Sequence, residues 1–252
     1  MMSPLVAIVV YNRLDETRKT LLSFETSLQA AAEVVIVDNG SVPEVKSFLG
    51  AWCSAHPNTR LIDLPNNIGC PRALNLALAY RNPRQSFVKI DNDVTLASPQ
   101  DWIEKLLILE AAYERAMHTL ALISAYYEPW QQQRIVAHSA YENLPLWYIR
   151  PIVGHCVWHT GAFMDKVGYF DVLAPNHLYG FEDLIMSHKA TCLEMGMVAW
   201  KGWHIANIQR HSAIGTREQR DAHVAAMRPL YNARARGISR ESIYTGPNGE
   251  PS

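Results

Sequence analysis

The stretch LVAIVVYNR, residues 5–13, begins as a continuous β-branched, apolar run and ends in three polar residues. A run without polar alternation is typical of a strand buried on both faces of a parallel sheet. Residues 15–28 then carry apolar side chains at helical spacing, and EVVIVD at 33–38 predicts a second buried strand. These segments predict a strand–helix–strand unit of an α/β protein.

The same alternation continues along the first half of the chain and predicts a doubly wound, mostly parallel sheet. Ser41 and Glu44 have the spacing of a capping box, which predicts the start of a helix that ends near Trp52. The other predicted strands are 59–64, 86–91, 121–128, 134–142, 151–160 and 197–205, and the other predicted helices are 71–81, 99–117, 180–196 and 216–236.

The composition of the 252 residues is that of an ordinary globular protein, with 48% hydrophobic residues, 19% charged residues and a net charge of −1. Residues 201–240 nevertheless contain eight Lys or Arg against two acids, a net charge of +6. This basic segment predicts contact with phosphates, an anionic acceptor or a membrane surface, or else a solvated helix face.

Four widely spaced cysteines without a CxxC pair argue against a zinc knuckle or a redox motif, and fit thiols in a reducing compartment. The N-terminus enters strand-like sequence without a charged leader, and the longest apolar runs are too short to span a membrane. We therefore expect a cytoplasmic protein.

Polar clusters follow each of the first four predicted strands, at residues 11–13, 38–41, 66–69 and 91–93. Ligands of parallel α/β sheets bind at the carboxyl ends of the strands. Four clusters at one sheet edge therefore indicate a binding site.

Asp91-Asn92-Asp93 ends the fourth strand, and its acceptor-rich side chains are costly to bury without a partner. One interpretation is a solvated turn. The other is a site for a hard divalent cation that shares phosphate oxygens with a substrate.

Two further residues have both a binding and a structural interpretation. There is no Walker loop and no GxGxxG, so a phosphate would bind in another way. Arg72 in the first turn of a helix suits an anion or a surface ion pair. Asp38 suits a hydrogen bond to a base or ribose, or an Asx turn that shapes the loop.

Glu182 and Asp183 lie in the first turn of a predicted helix, where they either balance the helix dipole or supply a general base for an acceptor hydroxyl. His204 and His211 are candidates for a third metal ligand from the second half. His155 and His159 either line an acceptor pocket or pack in the core.

Taken in order, several stretches resemble the family 2 glycosyltransferases, whose fold is called GT-A. They are VAIVVYNR, EVVIVDNGS, NNIGCPRALNLAL, FVKIDNDVTL, VGYFD, YGFEDLIMSHKATCLEMG and a later histidine, and they span roughly residues 4 to 212. The resemblance implies a nucleotide-sugar donor, a divalent metal such as Mn²⁺ or Mg²⁺, a hydroxyl acceptor such as a glycan, and transfer with inversion at the anomeric carbon.

The resemblance also implies roles for individual residues. Asp183 would be the base and Glu182 would lie near the acceptor. The implied metal ligands are Asp93, Asp91 and His211, with His204 as the alternative. The implied donor-binding residues are Val10, Tyr11, Asn12, Asp38, Asn67, Arg72, Asp91 and Asn92.

The expected organisation is one domain over residues 1–245 and a disordered tail at 246–252. Residues 1–118 would bind the nucleotide sugar, 119–215 would supply the acceptor and catalytic half, and 216–240 would form a basic helix that contacts an anionic acceptor or a membrane surface.

The resemblance has two departures, Val94 after the aspartate pair and Lys189 where many relatives have arginine, which leaves the role of Lys189 open. Two other functions stay open, a non-catalytic nucleotide- or carbohydrate-binding module and a sugar nucleotidyltransferase.

Overall fold

The structure is a computed structural model that describes residues 2–116, 119–126, 135–141, 144–152, 154–208 and 216–251. The strands are β1 (Leu5–Val10), β2 (Glu33–Asp38), β3 (Thr59–Asp63), β4 (Phe87–Asp91), β5 (Val94–Leu96), β6 (Leu120–Tyr126), β7 (Ile135–Tyr141), β8 (Leu144–Ile149), β9 (Cys156–His159) and β10 (Gly196–Asn207). The helices are α1 (Leu14–Ala31), α2 (Pro43–Ala55), α3 (Cys70–Leu78), α4 (Trp102–Arg115), α5 (Gly161–Val167), α6 (Glu182–Cys192) and α7 (Arg217–Gly237).

The first four predicted strands form one parallel block in the order β3-β2-β1-β4, which confirms the α/β prediction. Val10 is in register with Asp38, and Asp38 with Asp63. On the other side of β1, Val9 is in register with Asp91. The carboxyl ends of these strands therefore lie at one edge, and their polar loops meet there.

Beyond β4 the sheet becomes mixed. β9 runs antiparallel between β4 and β6, and β6 runs parallel to β10. β8 and β7 complete this side in antiparallel orientation, and short β5 pairs with the end of β10. Because β9 runs in this reversed direction, the residue just before it, His155, lies next to the carboxyl end of β4.

Both faces of the sheet are covered, as the continuous apolar runs predict. Val6, Ile8 and Val10 of β1 pack into one core cluster with residues of α1 and α4. Leu5 and Ala7 point to the opposite face, into a second cluster with residues of α3, α5 and α6. Alternate residues of a strand face opposite sides, so a strand between two helical layers must be apolar throughout.

The sequence analysis missed β5, β8 and α5. The strand predicted at 151–160 is shorter in the structure, where β9 is limited to Cys156–His159. α5 starts directly afterwards, where the Thr160 hydroxyl accepts a hydrogen bond from the Phe163 backbone N–H. This N-cap ends the strand and begins the helix within one residue.

The capping box predicted at Ser41 is wrong. α2 has Val42 at its N-cap and no side-chain cap, although Pro43 opens its first turn. The Ser41 hydroxyl instead accepts a hydrogen bond from the Asn12 backbone N–H at 2.8 Å, which joins two loops. By contrast, α7 begins near the predicted residue with a capping box of Thr216 and Gln219.

The predicted disorder of the tail is wrong for residues 246–251. Thr245 is fully buried and pairs with Gly168 and Pro251, and Gly249 accepts a hydrogen bond from the Val172 backbone N–H. A polar, Gly- and Pro-rich composition predicts disorder only when the segment finds no partner on the folded domain.

A buried charge cluster holds the tail in place. The Lys189 Nζ lies 2.6 Å from Asp171 Oδ2 and donates to the Thr245 hydroxyl at 2.7 Å. Arg234 pairs with the other carboxylate oxygen of Asp171 at 2.6 Å. Lys189, whose role the sequence left open, is therefore fully engaged within the protein and binds the tail.

The four cysteines are free thiols. No helix in the described part of the chain combines the length and apolar character needed to cross a membrane.

Candidate active site

The loops at the carboxyl edge of the sheet are joined by side-chain hydrogen bonds. The Val42 backbone N–H donates to Asn12 Oδ1 at 3.0 Å, and Asn39 Nδ2 donates to Asn67 Oδ1 at 3.0 Å. Asn67 Oδ1 also accepts from the Gly69 backbone N–H. The prediction that these clusters meet is confirmed, and Asn12 and Asn67 build the loops themselves.

Asp91, Asp93 and His155 form the one cluster of metal-ligand type found among the described residues. One ligand atom from each lies within 4.8 Å of the others. Asp93 Oδ1 is buried and has no hydrogen-bond partner among the described residues. Two carboxylates and an imidazole suit a divalent cation such as Mn²⁺, and an unpartnered buried carboxylate oxygen is costly without one. The residues present therefore fit the metal that the sequence implies.

His155 is held from both ring nitrogens. Its Nδ1 lies 3.0 Å from Asp91 Oδ2, and its Nε2 lies 3.0 Å from Asn207 Nδ2. The Asp91 backbone N–H also donates to the His155 carbonyl oxygen at 2.8 Å. Pairing of β5 with β10 brings Asn207 to this place. The sequence analysis considered His155 only for an acceptor pocket or for packing, so its position beside the aspartates is new.

The pKa shifts of Asp91, Asp93 and His155 differ in direction and in cause. Burial works to raise the pKa of Asp91, but Lys89 and His155 outweigh it and lower that pKa. Burial and the Asp91 charge raise the pKa of Asp93, although Arg13 opposes them. Burial works to lower the pKa of His155, and the Asp91 carboxylate reverses this and raises it. The shifts of Asp91 and His155 therefore follow from neighbouring charges, whereas burial is the largest cause of the shift of Asp93.

Arg13 pairs with Asp93 Oδ2 from the loop after β1. Asn12 and Arg13 both have left-handed backbone, with φ of 56° and 57°. This conformation is unusual for residues other than glycine and is found at functional sites. The sequence analysis included Arg13 in a polar cluster but assigned it no role.

The two histidines predicted as metal ligands have different outcomes. His211 lies outside the described residues. His204 is exposed in β10, where its ring lies 5.3 Å from that of Tyr126, and it is not part of the group formed by Asp91, Asp93 and His155. His204 as a ligand stays a prediction without support from its position.

A second acidic pair lies at the start of α6. Phe181 has left-handed backbone with φ of 69° and places Glu182 and Asp183 in the first turn. Both carboxylates are buried, and in the part of the chain that the structure describes Asp183 Oδ1 and Glu182 Oε2 lack hydrogen-bond partners. Asp183 Oδ2 lies 3.0 Å from Lys89 Nζ. Burial raises the pKa of Asp183 to about 6, against the pull of Lys89.

Asp38 shapes the loop after β2 in this structure. It is fully buried, and its Oδ1 accepts a hydrogen bond from the Ser41 backbone N–H at 3.0 Å. Its Oδ2 lies 3.1 Å from Lys46 Nζ, which also pairs with Asp63. The turn interpretation of Asp38 is therefore realised, and contact with a nucleoside stays a prediction.

Arg72 binds backbone rather than a carboxylate. Its guanidinium donates to the carbonyl oxygens of Pro175 at 3.0 Å and Ala174 at 3.2 Å. The described residues give it no ion pair, so the surface ion pair is not present. These bonds fix the loop before α6 against α3, and binding of a diphosphate by Arg72 stays a prediction.

The remaining predicted residues are mostly internal. Asn92 Nδ2 donates to the Thr17 hydroxyl at 2.9 Å, and the Val10 carbonyl accepts from the Asn39 backbone N–H at 2.7 Å. Tyr11 is half-buried beside them. His159 is fully buried between aromatic rings, and burial lowers its pKa to about 3, so it packs in the core.

The parallel block, the mixed second half and the carboxylate cluster at the sheet edge define the class of GT-A glycosyltransferases. The Glycosyl transferase family 2 model matches residues 5–169, more than half of the chain. The chain belongs to this family, and its enzyme class is glycosyltransferase. A search of curated proteins gave no match.

Solved structures with the same fold share little sequence with this chain. A mannosyltransferase from Pyrobaculum calidifontis, PcManGT, in complex with GDP-Man and Mn²⁺, is 18% identical with a TM-score of 0.63, over 93% of this chain and 70% of that one. S. aureus TarS 1–349 is 15% identical with a TM-score of 0.56, over 81% and 59%. GalNAc-T7 with UDP, GalNAc and Mn²⁺ is 12% identical with a TM-score of 0.63, over 92% of this chain and about half, 49%, of that one.

Proposed function

We propose that this enzyme moves a sugar from a nucleoside-diphosphate sugar to the hydroxyl of a glycan or glycoconjugate, with inversion and with a divalent metal. The observation that carries this proposal is the pairing of two acidic sites at one sheet edge. Asp91 and Asp93 form a metal-type cluster, and Asp183 Oδ1 is a buried carboxylate oxygen without a partner. Lys89 contacts both Asp91 and Asp183, so the two sites adjoin.

Asp183 would act as the general base. Its Oδ1 would accept the proton of the acceptor hydroxyl as the acceptor oxygen forms a bond to the anomeric carbon. The bond between that carbon and the diphosphate oxygen breaks, and the nucleoside diphosphate leaves with the electron pair. A single displacement of this kind inverts the anomeric centre. A base with a pKa of about 6 is ionised at neutral pH and still basic enough to take a proton.

Asp91, Asp93 and His155 would hold the divalent cation. When bound, the metal would neutralise the negative charge that develops on the departing diphosphate. Mn²⁺ in the complexes of PcManGT and GalNAc-T7 supports this assignment. Arg13, already paired with Asp93, is well placed to change partner when a cation binds.

The donor would lie over the loops after β1 and β2. The family membership supports donor contacts from Val10, Tyr11, Asn12, Asp38, Asn67, Arg72, Asp91 and Asn92, and the structure gives several of them loop-building bonds as well. GDP-Man in PcManGT, and UDP and GalNAc in GalNAc-T7, support a nucleoside-diphosphate sugar as the donor class.

The basic helix α7 would lie on the acceptor side. It packs against the start of α6, where the rings of Phe181 and Tyr231 stack at 4.7 Å and the Tyr179 hydroxyl donates to the Arg220 carbonyl at 2.8 Å. Five arginines against two acids give α7 a positive charge. This charge supports contact with an anionic acceptor or with a membrane surface.

A thermal-shift panel tests the donor and the metal together. UDP, GDP, dTDP, CDP and ADP are each added with and without Mn²⁺, and we expect one diphosphate to raise the melting temperature only when Mn²⁺ is present. Asp93→Asn is the matched variant, and it should lose the dependence on Mn²⁺. Stabilisation without metal would move the diphosphate away from Asp93, and no shift with any nucleotide would favour the non-catalytic binding module.

The product separates the remaining alternatives. Release of a nucleoside diphosphate from a nucleotide sugar is expected, with the opposite anomeric configuration in the product by NMR. Release of pyrophosphate from a nucleoside triphosphate and a sugar phosphate would identify a nucleotidyltransferase instead. Retention of configuration would contradict the single displacement.

A further inference from the structure

Lys89 is a buried charge in the middle of β4, with apolar residues on either side. It lies between Val88 and Ile90 of β4, and only 3% of it is exposed. Removing an ammonium group from water is expensive unless partners compensate it. A buried strand does not require a charged side chain in order to form. The groups that Lys89 contacts therefore indicate its role.

Those partners come from both halves of the proposed site. The Lys89 Nζ lies 3.0 Å from Asp183 Oδ2, 3.4 Å from Glu182 Oε1 and 3.4 Å from Asp91 Oδ1. Burial alone would lower the pKa of Lys89, but these carboxylates outweigh it and raise that pKa, so the amine stays charged. One ammonium group thus joins the first turn of α6 to the end of β4.

The bond from Lys89 divides the two oxygens of Asp183. Oδ2 is held by Lys89 and lies 3.4 Å from the Gly154 backbone N–H, whereas no described residue forms a hydrogen bond with Oδ1. A carboxylate fixed through one oxygen keeps the other in a constant direction, which a general base needs in order to take a proton efficiently.

We propose that Lys89 is a positioning residue for the transfer reaction, which holds Asp183 as the base and couples it to the cation-binding aspartates. This inference rests on the proposed role of Asp183. Lys89 itself exchanges no proton with the acceptor. Its contribution is to fix the direction of the Asp183 carboxylate and to keep three neighbouring carboxylates from repelling one another.

The chain offers a matched control in Lys189. This lysine is also fully buried and lies 2.6 Å from a carboxylate, Asp171, but its cluster binds the C-terminal tail. Lys89→Met and Lys189→Met therefore remove the same charge from similar surroundings. Loss of a buried partner should lower the melting temperature of both variants.

The rate should separate the two variants. The substrate is UDP-glucose, GDP-mannose, dTDP-glucose, CDP-glucose or ADP-glucose, according to the base that the thermal-shift panel selects. Release of the nucleoside diphosphate is measured with water as the acceptor. We expect Lys89→Met to lower kcat about 100-fold with little change in KM for the donor, since a general base contributes on this scale. Lys189→Met should stay within about threefold of the wild-type kcat, because a remote defect does not act on the chemical step.

A double-mutant cycle tests whether Lys89 acts through Asp183. Asp183→Asn removes the base, and adding Lys89→Met to it should lower the residual rate by less than about threefold, because residues that act as a unit are not additive. Additive losses would overturn the inference. Near-normal activity of Asp183→Asn alone would instead refute the base assignment, whatever Lys89 does.

Metal binding gives a readout that does not depend on turnover. The Lys89 charge lies beside Asp91, so Lys89→Met should bind Mn²⁺ at least as tightly as the wild type in calorimetry. Weaker Mn²⁺ binding together with lost activity would indicate general damage and overturn the inference. Lys89→Gln serves as the second variant, and failure of both Lys89 variants to fold, with Lys189→Met folded, would make Lys89 structural.

Discussion

The raised pKa of Asp183 predicts the acid limb of the pH–rate profile. Asp183 must be ionised to act as a base, and burial raises its pKa from 3.8 to about 6. The groups that face it are Lys89 and Asp91 from β4, Glu182 from its own helix and the Cys70 thiol from α3. Activity should therefore rise with pH through the region near 6.

The size of the effect follows from the ionised fraction. A carboxyl with a pKa of about 6 is about 91% ionised at pH 7 and about 9% ionised at pH 5, so kcat/KM should fall about tenfold between these values. An ordinary aspartate with a pKa of 3.8 would still be about 94% ionised at pH 5, and the rate would hardly change.

The assay is release of nucleoside diphosphate from the selected nucleotide sugar between pH 4.5 and 8.5, at saturating Mn²⁺. Mn²⁺ must be saturating because the pKa of His155 is also raised, and a protonated His155 could no longer bind the metal. A limb that moves with the Mn²⁺ concentration would report His155 and not Asp183. A rate that stays flat down to pH 5 would refute the assignment of Asp183 as a base with a raised pKa.

Three other outcomes are expected. His155→Ala should weaken Mn²⁺ binding about tenfold or more in calorimetry, whereas His204→Ala should not. The reverse result would support His204, the alternative ligand predicted from the sequence. Gly69→Ala should lower the free energy of unfolding in urea by about 2 kcal/mol or more, because Gly69 has φ of +92° and a Cβ there would collide with a backbone carbonyl. Gly50→Ala, in a helix with open space around it, should be neutral or stabilising, and equal losses would contradict the steric argument. Thr245→Val should cost about 1–3 kcal/mol in the same assay, since it removes a hydroxyl that bonds two buried charges, and no loss would mean that the tail is held by other contacts.

The parallel block of the fold could be predicted from sequence because the residue pattern within each strand is enough to predict that strand. LVAIVV and EVVIVD are apolar on both faces, and the intervening segment has helical spacing. The edge at which ligands bind then follows from the strand direction alone. Asp91, Asp93 and Asp183 could be proposed as site residues for the same reason, since Asp91 ends a strand, Asp93 follows it in the next turn and Asp183 lies in the first turn of a helix.

The second half could not be predicted in the same way because its strands pair over long distances in the chain. β9 enters the sheet between β4 and β6 in the opposite direction, and no local pattern specifies that insertion. His155 reaches Asp91 only through this pairing, 64 residues away. Lys89 gave a weak signal as a charge between two apolar residues of β4, and only the position of α6 shows that Glu182 and Asp183 contact it.

Arg72 and Asp38 show a different limit. An arginine or an aspartate can either contact a ligand or stabilise a loop by hydrogen bonds. Which of these occurs depends on the backbone groups that lie within hydrogen-bond distance. The structure supplies those groups as the carbonyls of residues 174 and 175 for Arg72 and as the Ser41 backbone N–H for Asp38.

The docked tail has a consequence for how the protein is made. Lys189 and Asp171 can form hydrogen bonds with the Thr245 hydroxyl only after the ribosome has added Thr245. The bond between the Gly249 carbonyl and the Val172 backbone N–H forms only after Gly249 has been added. A nascent chain that has reached only the end of α7 therefore contains both acidic sites but still has incompletely compensated charges in its interior. Residues 245–251 must be synthesised before the second half of the domain can reach its final stability.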